Sequence, residues 1–295
     1  MCINPFCKRK KMKRREYRGT SFNLPCNRQL WKTLGEFDAL MQYVECAIIS
    51  FEEKQEESEL TFQEFLKSQA DKMSHPISSL SFSEPRQTSH NMFLVYPHSC
   101  LDTYIDSIVQ NMHELGFSDF SLADTKGVSR LENLKTALIR AGAKPDLDNY
   151  NIPIYKYYRL LRNRLSHDVS GVRDVEIENA YKNVIKIKQE IDKRFRNPDA
   201  LKEMGVLDFS DYILCTANIK NICDKLVISI EPLIKWESYT IKKEYCKEIK
   251  RIKGLNKQRQ LRYVRNYVAS RFSKYPPAEA SNDILRNTLS YLETI

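Results

Sequence analysis

The apolar residues of this chain recur every three or four positions over long stretches that glycine and proline rarely interrupt. From Leu30 to Glu56 the series Leu34, Phe37, Leu40, Met41, Val44, Ala47 and Ile48 marks one stripe of a helix. The same spacing returns at Leu101–Leu115 through Tyr104, Ile105, Ile108, Val109 and Met112. It returns again at Val175–Phe195 through Ile177, Ala180, Tyr181, Val184, Ile185, Ile187 and Ile191. Only 8 glycines and 11 prolines in 295 residues leave few places for the turns of a many-stranded sheet, whereas Leu, Ile, Lys, Glu and Asn are plentiful. The expected fold class is all-α: an antiparallel helical bundle with additional C-terminal helices.

Punctuation divides the chain into three regions. Residues 1–29 form a basic N-terminal tail. Residues 30–196 hold the helices above, shorter ones at Phe62–Met73 and Leu131–Ala141, and one that follows the turn-like Asp146–Asn151 with Pro153 in its first turn. Ser74–Asn91, rich in Ser, Pro and His, reads as a loop or mobile insertion. Asn197-Pro198-Asp199-Ala200 follows a charged helix end and marks the boundary to a basic C-terminal region, 197–295. Helical spacing predicts helices there at Tyr212–Ile228, Ile230–Ile252, Gln258–Phe272 and Ala278–Glu293. No fixed period repeats, which argues against a solenoid.

The net charge of +9 is concentrated in two segments. Residues 1–20 carry eight Lys or Arg against Glu16, and residues 241–275 carry twelve against Glu244 and Glu248, so the remainder is mildly acidic. Such segments attract phosphate backbones by releasing counterions, although solvated basic faces are also common. A start at Met12 would remove much of the first segment. The eight cysteines form no Cys-x-x-Cys, so they read as reduced thiols, with Cys46, Cys215 and Cys223 at buried helical positions. Cys2, Cys7 and Cys26 are the one set open to a metal, without a tight ligand pair to support it. No apolar run reaches the roughly 20 residues of a membrane span, and the N-terminus lacks the apolar core of a secretory signal. A cytoplasmic location is the expectation.

The chemistry gathers in Tyr158-Arg159-Leu160-Leu161-Arg162-Asn163-Arg164-Leu165-Ser166-His167-Asp168. At about 100° per residue, Asn163, Ser166 and His167 share an arc with Arg162 on its flank, opposite Tyr158, Leu161 and Leu165. Arginine, amide and imidazole together supply charge stabilisation, orientation and proton transfer, the needs of phosphodiester cleavage. Arg159 lies near the same arc and is a candidate to hold substrate phosphate. Asp168 is placed to cap or orient His167, and Arg164 reads as solvated. For His167 alone the plainer reading is a capping histidine at a helix C-terminus; Arg162 and Asn163, in order on the same helix, favour catalysis.

Arg162, Asn163 and His167, with the apolar pair before the arginine and the small residue before the histidine, resemble the motif of HEPN ribonucleases. The resemblance covers roughly residues 34–196. It implies a small helical domain whose motif helix packs on its symmetry mate, so that a composite site at a homodimer interface cuts RNA without a metal or other cofactor. It also implies a toxin-like or antiphage defence role, with an antitoxin or regulatory partner. One subfamily carries a tyrosine two residues after the histidine as a target of modification; here that position is Val169.

The expected function is therefore a metal-independent endoribonuclease in which the 2′-hydroxyl attacks the adjacent phosphate. Its catalytic residues are Arg162, Asn163 and His167, with Arg159, Arg259, Arg262 and Arg265 binding substrate. The rival from another class is a catalytically silent helical module that binds RNA or protein through its basic C-terminal segment. A nucleotide-binding regulator is a third reading, and the chain has no phosphate loop to support it. Arg86-Gln87-Thr88-Ser89-His90 has one residue less between arginine and histidine and reads as noise, and His75, His98 and His113 have no ligand-spaced partners. No Gly-x-Ser-x-Gly or His-Glu-x-x-His occurs, nor acids at the spacing of a two-metal nuclease.

Overall fold

A computed structural model of the chain describes residues 21–74, 85–147, 149–167, 174–242 and 252–294. Among them it forms α1 (Pro25–Glu57), α2 (Phe62–Lys72), α3 (Pro85–Phe93), α4 (Val95–Glu114), α5 (Arg130–Arg140), α6 (Asn151–His167), α7 (Asp174–Ile185), α8 (Lys188–Phe195), α9 (Phe209–Ile230), α10 (Lys257–Phe272) and α11 (Ala280–Glu293). Two 3-10 turns, Glu231–Leu233 and Trp236–Ser238, complete an all-α fold without strands among the described residues. They divide into two units, one spanning Cys26–Leu233 and the other the described parts of Met1–Pro25 and Ile234–Ile295. The expected boundary at Asn197–Ala200 lies inside the larger unit, between α8 and α9.

Local chemistry sets the helix ends. Thr61 with Glu64, Ser129 with Glu132 and Asp208 with Asp211 form reciprocal capping boxes at the starts of α2, α5 and α9, each worth about 1 kcal/mol against alanine. Pro25, Pro97 and Pro153 fall in first turns, where a missing N–H costs no helical hydrogen bond. Past the last turn of α5, Gly142 adopts φ +97° while Ala143 N–H bonds Leu138 O at 2.9 Å, a closure that a side chain at Gly142 would strain.

Side-chain hydrogen bonds fix the helix directions in the larger unit. Asn151 Nδ2 donates to Asn218 Oδ1 (2.9 Å) and Tyr158 Oη to Asp211 Oδ1 (2.6 Å), so α6 runs antiparallel to α9. His98 lies against Cys215 and Tyr104 Oη donates to Cys223 O (3.3 Å), so α4 runs parallel to α9. Cys26 N–H bonds Asn111 Oδ1 and the Phe37 ring packs at a tilt against Tyr96, which sets α1 antiparallel to α4. The core between them holds Leu101, Ile105, Ile108 and Met112 of α4, Ile154, Tyr158 and Leu161 of α6, and Leu214, Ile219, Ile222 and Leu226 of α9, all buried. Because α9 completes the cover of α6, the chain from Asn197 to Leu233 belongs to the same unit. In the smaller unit α10 and α11 pack together, and Phe22, Trp236, Tyr239 and Phe272 form an aromatic cluster, edge to face except for the stacked pair Phe22 and Phe272.

Four expectations are corrected. The loop predicted over Ser74–Asn91 contains the start of α3, while residues 75–84 lie outside the described residues. The single helix predicted over Val175–Phe195 breaks at Lys186–Ile187, where β-branched Val184, Ile185 and Ile187 crowd the turn and Ile187 leaves helical geometry at φ −113°, ψ 13°. The helix predicted from Ile230 is replaced up to residue 242 by the two 3-10 turns and extended chain, since Pro232 cannot continue the helical hydrogen bonds. Cys46 is exposed rather than buried, whereas Cys215 and Cys223 are buried as expected.

Candidate active site

Arg159, Arg162, Asn163 and Ser166 stand at i, i+3, i+4 and i+7 of α6 and share one face, opposite the buried Ile154, Tyr158 and Leu161. Leu165, expected in the apolar stripe, is 37% exposed. Its position follows from the pairings above: α9 starts opposite the turn of Leu161, so the last turn of α6 runs past its cover. Arg164, expected in solvent, is half-buried and directed toward Gly205, where a Cβ would stand 3.2 Å from its Nη2.

The face of α6 forms one wall of a cavity of about 240 Å³. Tyr155, Arg159, Arg162 and Asn163 come from α6, His98, Leu101 and Asp102 from α4, and Val128, Ser129 and Arg130 from the start of α5. Arg162 Nη1 donates to Asn163 Oδ1 at 3.2 Å, which holds the guanidinium along the helix. The Nε atoms of Arg159 and Arg162 are buried without a hydrogen-bond partner among the described residues. An arginine donor removed from water and left unpaired is costly, so these two mark a place for an acceptor. At the start of α5 the Ser129 and Glu132 N–H groups are each capped by the other residue's side chain, and the Arg130 guanidinium pairs with Asp106. A larger cavity of about 470 Å³ at residues 116–121 and the end of α5 has only Asp119 and Arg140 as ionisable lining groups.

Ionisation follows from these surroundings. Burial, with Arg162 and Arg159 nearby, pushes His98 down to about 3, so its imidazole is neutral in ordinary buffers. Burial raises Asp102 above the usual carboxylate value even though Arg130 and Arg162 pull it down. Burial also lifts the Tyr155 phenol to about 12. The pocket thus offers guanidinium donors, one half-buried carboxylate and a histidine that stays neutral in ordinary buffers.

His167 is the last residue of α6, but its side chain lies outside the described residues, as do Asp168, Val169 and Gly171. Arg259, Arg262 and Arg265 are exposed on α10 in the smaller unit, with Arg265 5.6 Å from the ring of Tyr275. Residues 1–20, with Cys2 and Cys7, are outside the described residues, as is Tyr245. Among the described residues no three His, Cys, Asp or Glu side chains gather in a metal-holding arrangement.

His98 and Asp102 were legible only as a histidine and an aspartate on the same stripe of α4 as Leu101 and Ile105, polar groups at core spacing. Arg86 and His90, dismissed as loop noise, stand on α3 and close on α1. His90 Nε2 lies 2.7 Å from Glu45 Oε2, Arg86 Nη2 2.5 Å from Glu45 Oε1 and Arg86 Nη1 3.2 Å from Glu52 Oε2. Burial pushes the Glu45 carboxyl up, but hydrogen bonds from His90 and Arg86 outweigh it and hold the group below its usual value. No protein-family model, curated protein or solved structure matches the chain.

Proposed function

We propose that the chain is a metal-independent endoribonuclease of the HEPN type. One observation carries the reading: on the helix that ends in His167, Arg159 and Arg162 line one pocket and each has a buried Nε with no partner among the described residues, with Asn163 bracing Arg162. Arginines so placed suit a phosphodiester oxygen.

In the proposed reaction His167 takes the proton of a ribose 2′-hydroxyl, and the 2′-oxygen forms a bond to the adjacent phosphorus. The bond from phosphorus to the 5′-oxygen breaks, and an acid protonates the leaving oxygen. The products are a 2′,3′-cyclic phosphate and a 5′-hydroxyl. Arg162 stabilises charge on the equatorial oxygens, Asn163 orients Arg162, and Arg159 holds substrate phosphate. An internal nucleophile and an imidazole near neutrality need no metal to generate the attacking group. The second copy's His167 serves as the acid in a homodimer with a composite site, and a toxin-like or antiphage role in the cytoplasm, held in check by an antitoxin, completes the reading from the motif's resemblance. The exposed Arg259, Arg262 and Arg265 favour a second reading, a silent RNA-binding module.

Incubation of the purified protein with total RNA and with DNA in EDTA decides between them. Wild type cleaves RNA and leaves DNA intact; His167→Ala loses 10²-fold or more of the rate, about what a general acid or base supplies, with its helical content unchanged. Equal cleavage by the two preparations, or activity restored only by magnesium, overturns the assignment.

A further inference from the structure

The pocket beside α6 is unsatisfied in both senses. Arg159 and Arg162 carry donors without acceptors, and Asp102, half-buried in the same lining, accepts no hydrogen bond and forms no ion pair among the described residues. The nearby arginines do not close on it: Arg162 is held by Asn163 and Arg130 by Asp106. A bare phosphate would satisfy the arginines yet face the carboxylate, like charge against like. The fitting ligand brings an anion for the arginines and N–H donors for the aspartate.

We propose, resting on the ribonuclease reading, that this pocket is a guanine subsite: Asp102 accepts the base's Watson–Crick edge while Arg159 and Arg162 take the same nucleotide's phosphate. Guanine presents N1–H and the N2 amino group side by side, two parallel donors for the two oxygens of one carboxylate, the same fork that arginine offers. Adenine and cytosine set an acceptor nitrogen beside their amino group, and uracil flanks its single N–H with carbonyls, so each places repulsion against Asp102. The cavity's 240 Å³ is below the roughly 300–1,000 Å³ of drug-sized sites, a volume for one splayed base rather than a base pair. Tyr155 lines the same hollow and provides an aromatic wall, the usual companion of an unstacked RNA base.

The test is titration of the full-length protein with guanosine, inosine and adenosine monophosphates, in 3′ and 5′ series, beside inorganic phosphate. Guanosine monophosphate is expected to bind about tenfold or more tightly than the inosine form, which lacks only the N2 amino group, and than the adenosine form. In Asp102→Asn that preference collapses to within about twofold while inorganic phosphate binds no more weakly. Equal affinities for the three nucleotides in wild type, or a preference retained in Asp102→Asn with an unchanged melting curve, overturns the proposal. Should Asp102→Asn fail to fold, the guanosine–inosine comparison in wild type decides alone. Guanine preference without RNA cleavage upholds the subsite and sinks the nuclease reading; cleavage without base preference does the reverse.

Discussion

Two places in the larger unit combine arginine and histidine on a helix, and they differ in what their donors meet. On α3, Arg86 and His90 sit one turn apart and both end on Glu45, with Glu52 taking the other side of Arg86. On α6, Arg159 and Arg162 also sit one turn apart, but their Nε atoms meet nothing among the described residues, and a pocket opens beside them. The first set has its charges matched inside the protein, so its role is to fasten α3 to α1. The second retains donors that no described residue matches. Both helices set basic side chains about one turn apart; the state of the hydrogen-bond inventory separates a fastening from a candidate site.

The largest stability effect expected is at the fastening. Glu45→Ala leaves His90 and Arg86 without their shared acceptor and should cost about 2–3 kcal/mol, read as a lower denaturation midpoint, with RNA cleavage per folded molecule unaltered. A midpoint unchanged within error would mean that the network is ornamental and the contrast with α6 fails.

The two buried histidines sharpen the comparison through pH. His90 faces a carboxylate, whereas His98 lies among the pocket arginines with its folded value near 3, well below the usual 6.5. An unfolded chain takes up a proton on His98 below about pH 6.5 and the folded chain does not. Its contribution is therefore complete above that pH and is lost as pH falls toward 3, at about 1.4 kcal/mol per pH unit. Denaturation of wild type and His98→Gln at pH 7 and pH 5 checks this: the variant should lose that part of the acid sensitivity. An identical pH dependence in both proteins would place the proton elsewhere.

A smaller effect is expected on α10. Neutralising Arg259, Arg262 and Arg265 together should reduce the slope of log K against log salt by about 2 for single-stranded RNA, with cleavage at saturating RNA nearly unchanged. An unaltered slope would make these residues a solvated face, and a collapse of saturated turnover would assign them to the site or the fold.

Much of α6 was legible because local rules agree there: a proline in the first turn, apolar residues at one spacing, polar residues at the complementary one. The long stripes of α1, α4 and α9 were equally plain. Short polar α3 was not, since Pro85 and the Ser-rich run before it read as loop and its stabilising partner, Glu45, is 41 residues away from Arg86. The stretch after Ile230 misled in the other direction. Ile234, Trp236, Tyr239 and Ile241 are buried on a non-helical path, so apolar spacing there reflects burial rather than a helix. Arg162 and Asn163 could be picked from the sequence, but the pocket needs α4 and the start of α5 brought against α6. No local signal encodes that meeting, and so His98 and Asp102 were overlooked.

The most direct measurement is a paired one: the rate of RNA cleavage in EDTA, per folded molecule, together with the denaturation midpoint, for Arg162→Ala and Arg86→Ala. The account predicts that Arg162→Ala loses about 10²-fold or more in rate, as for removal of a charge-stabilising donor, at an essentially unchanged midpoint. Arg86→Ala should keep its rate and lose about 1–2 kcal/mol of stability. Full activity in Arg162→Ala, or equal loss of rate in both variants, would contradict the claim that the unmatched arginines of α6 are where substrate binds.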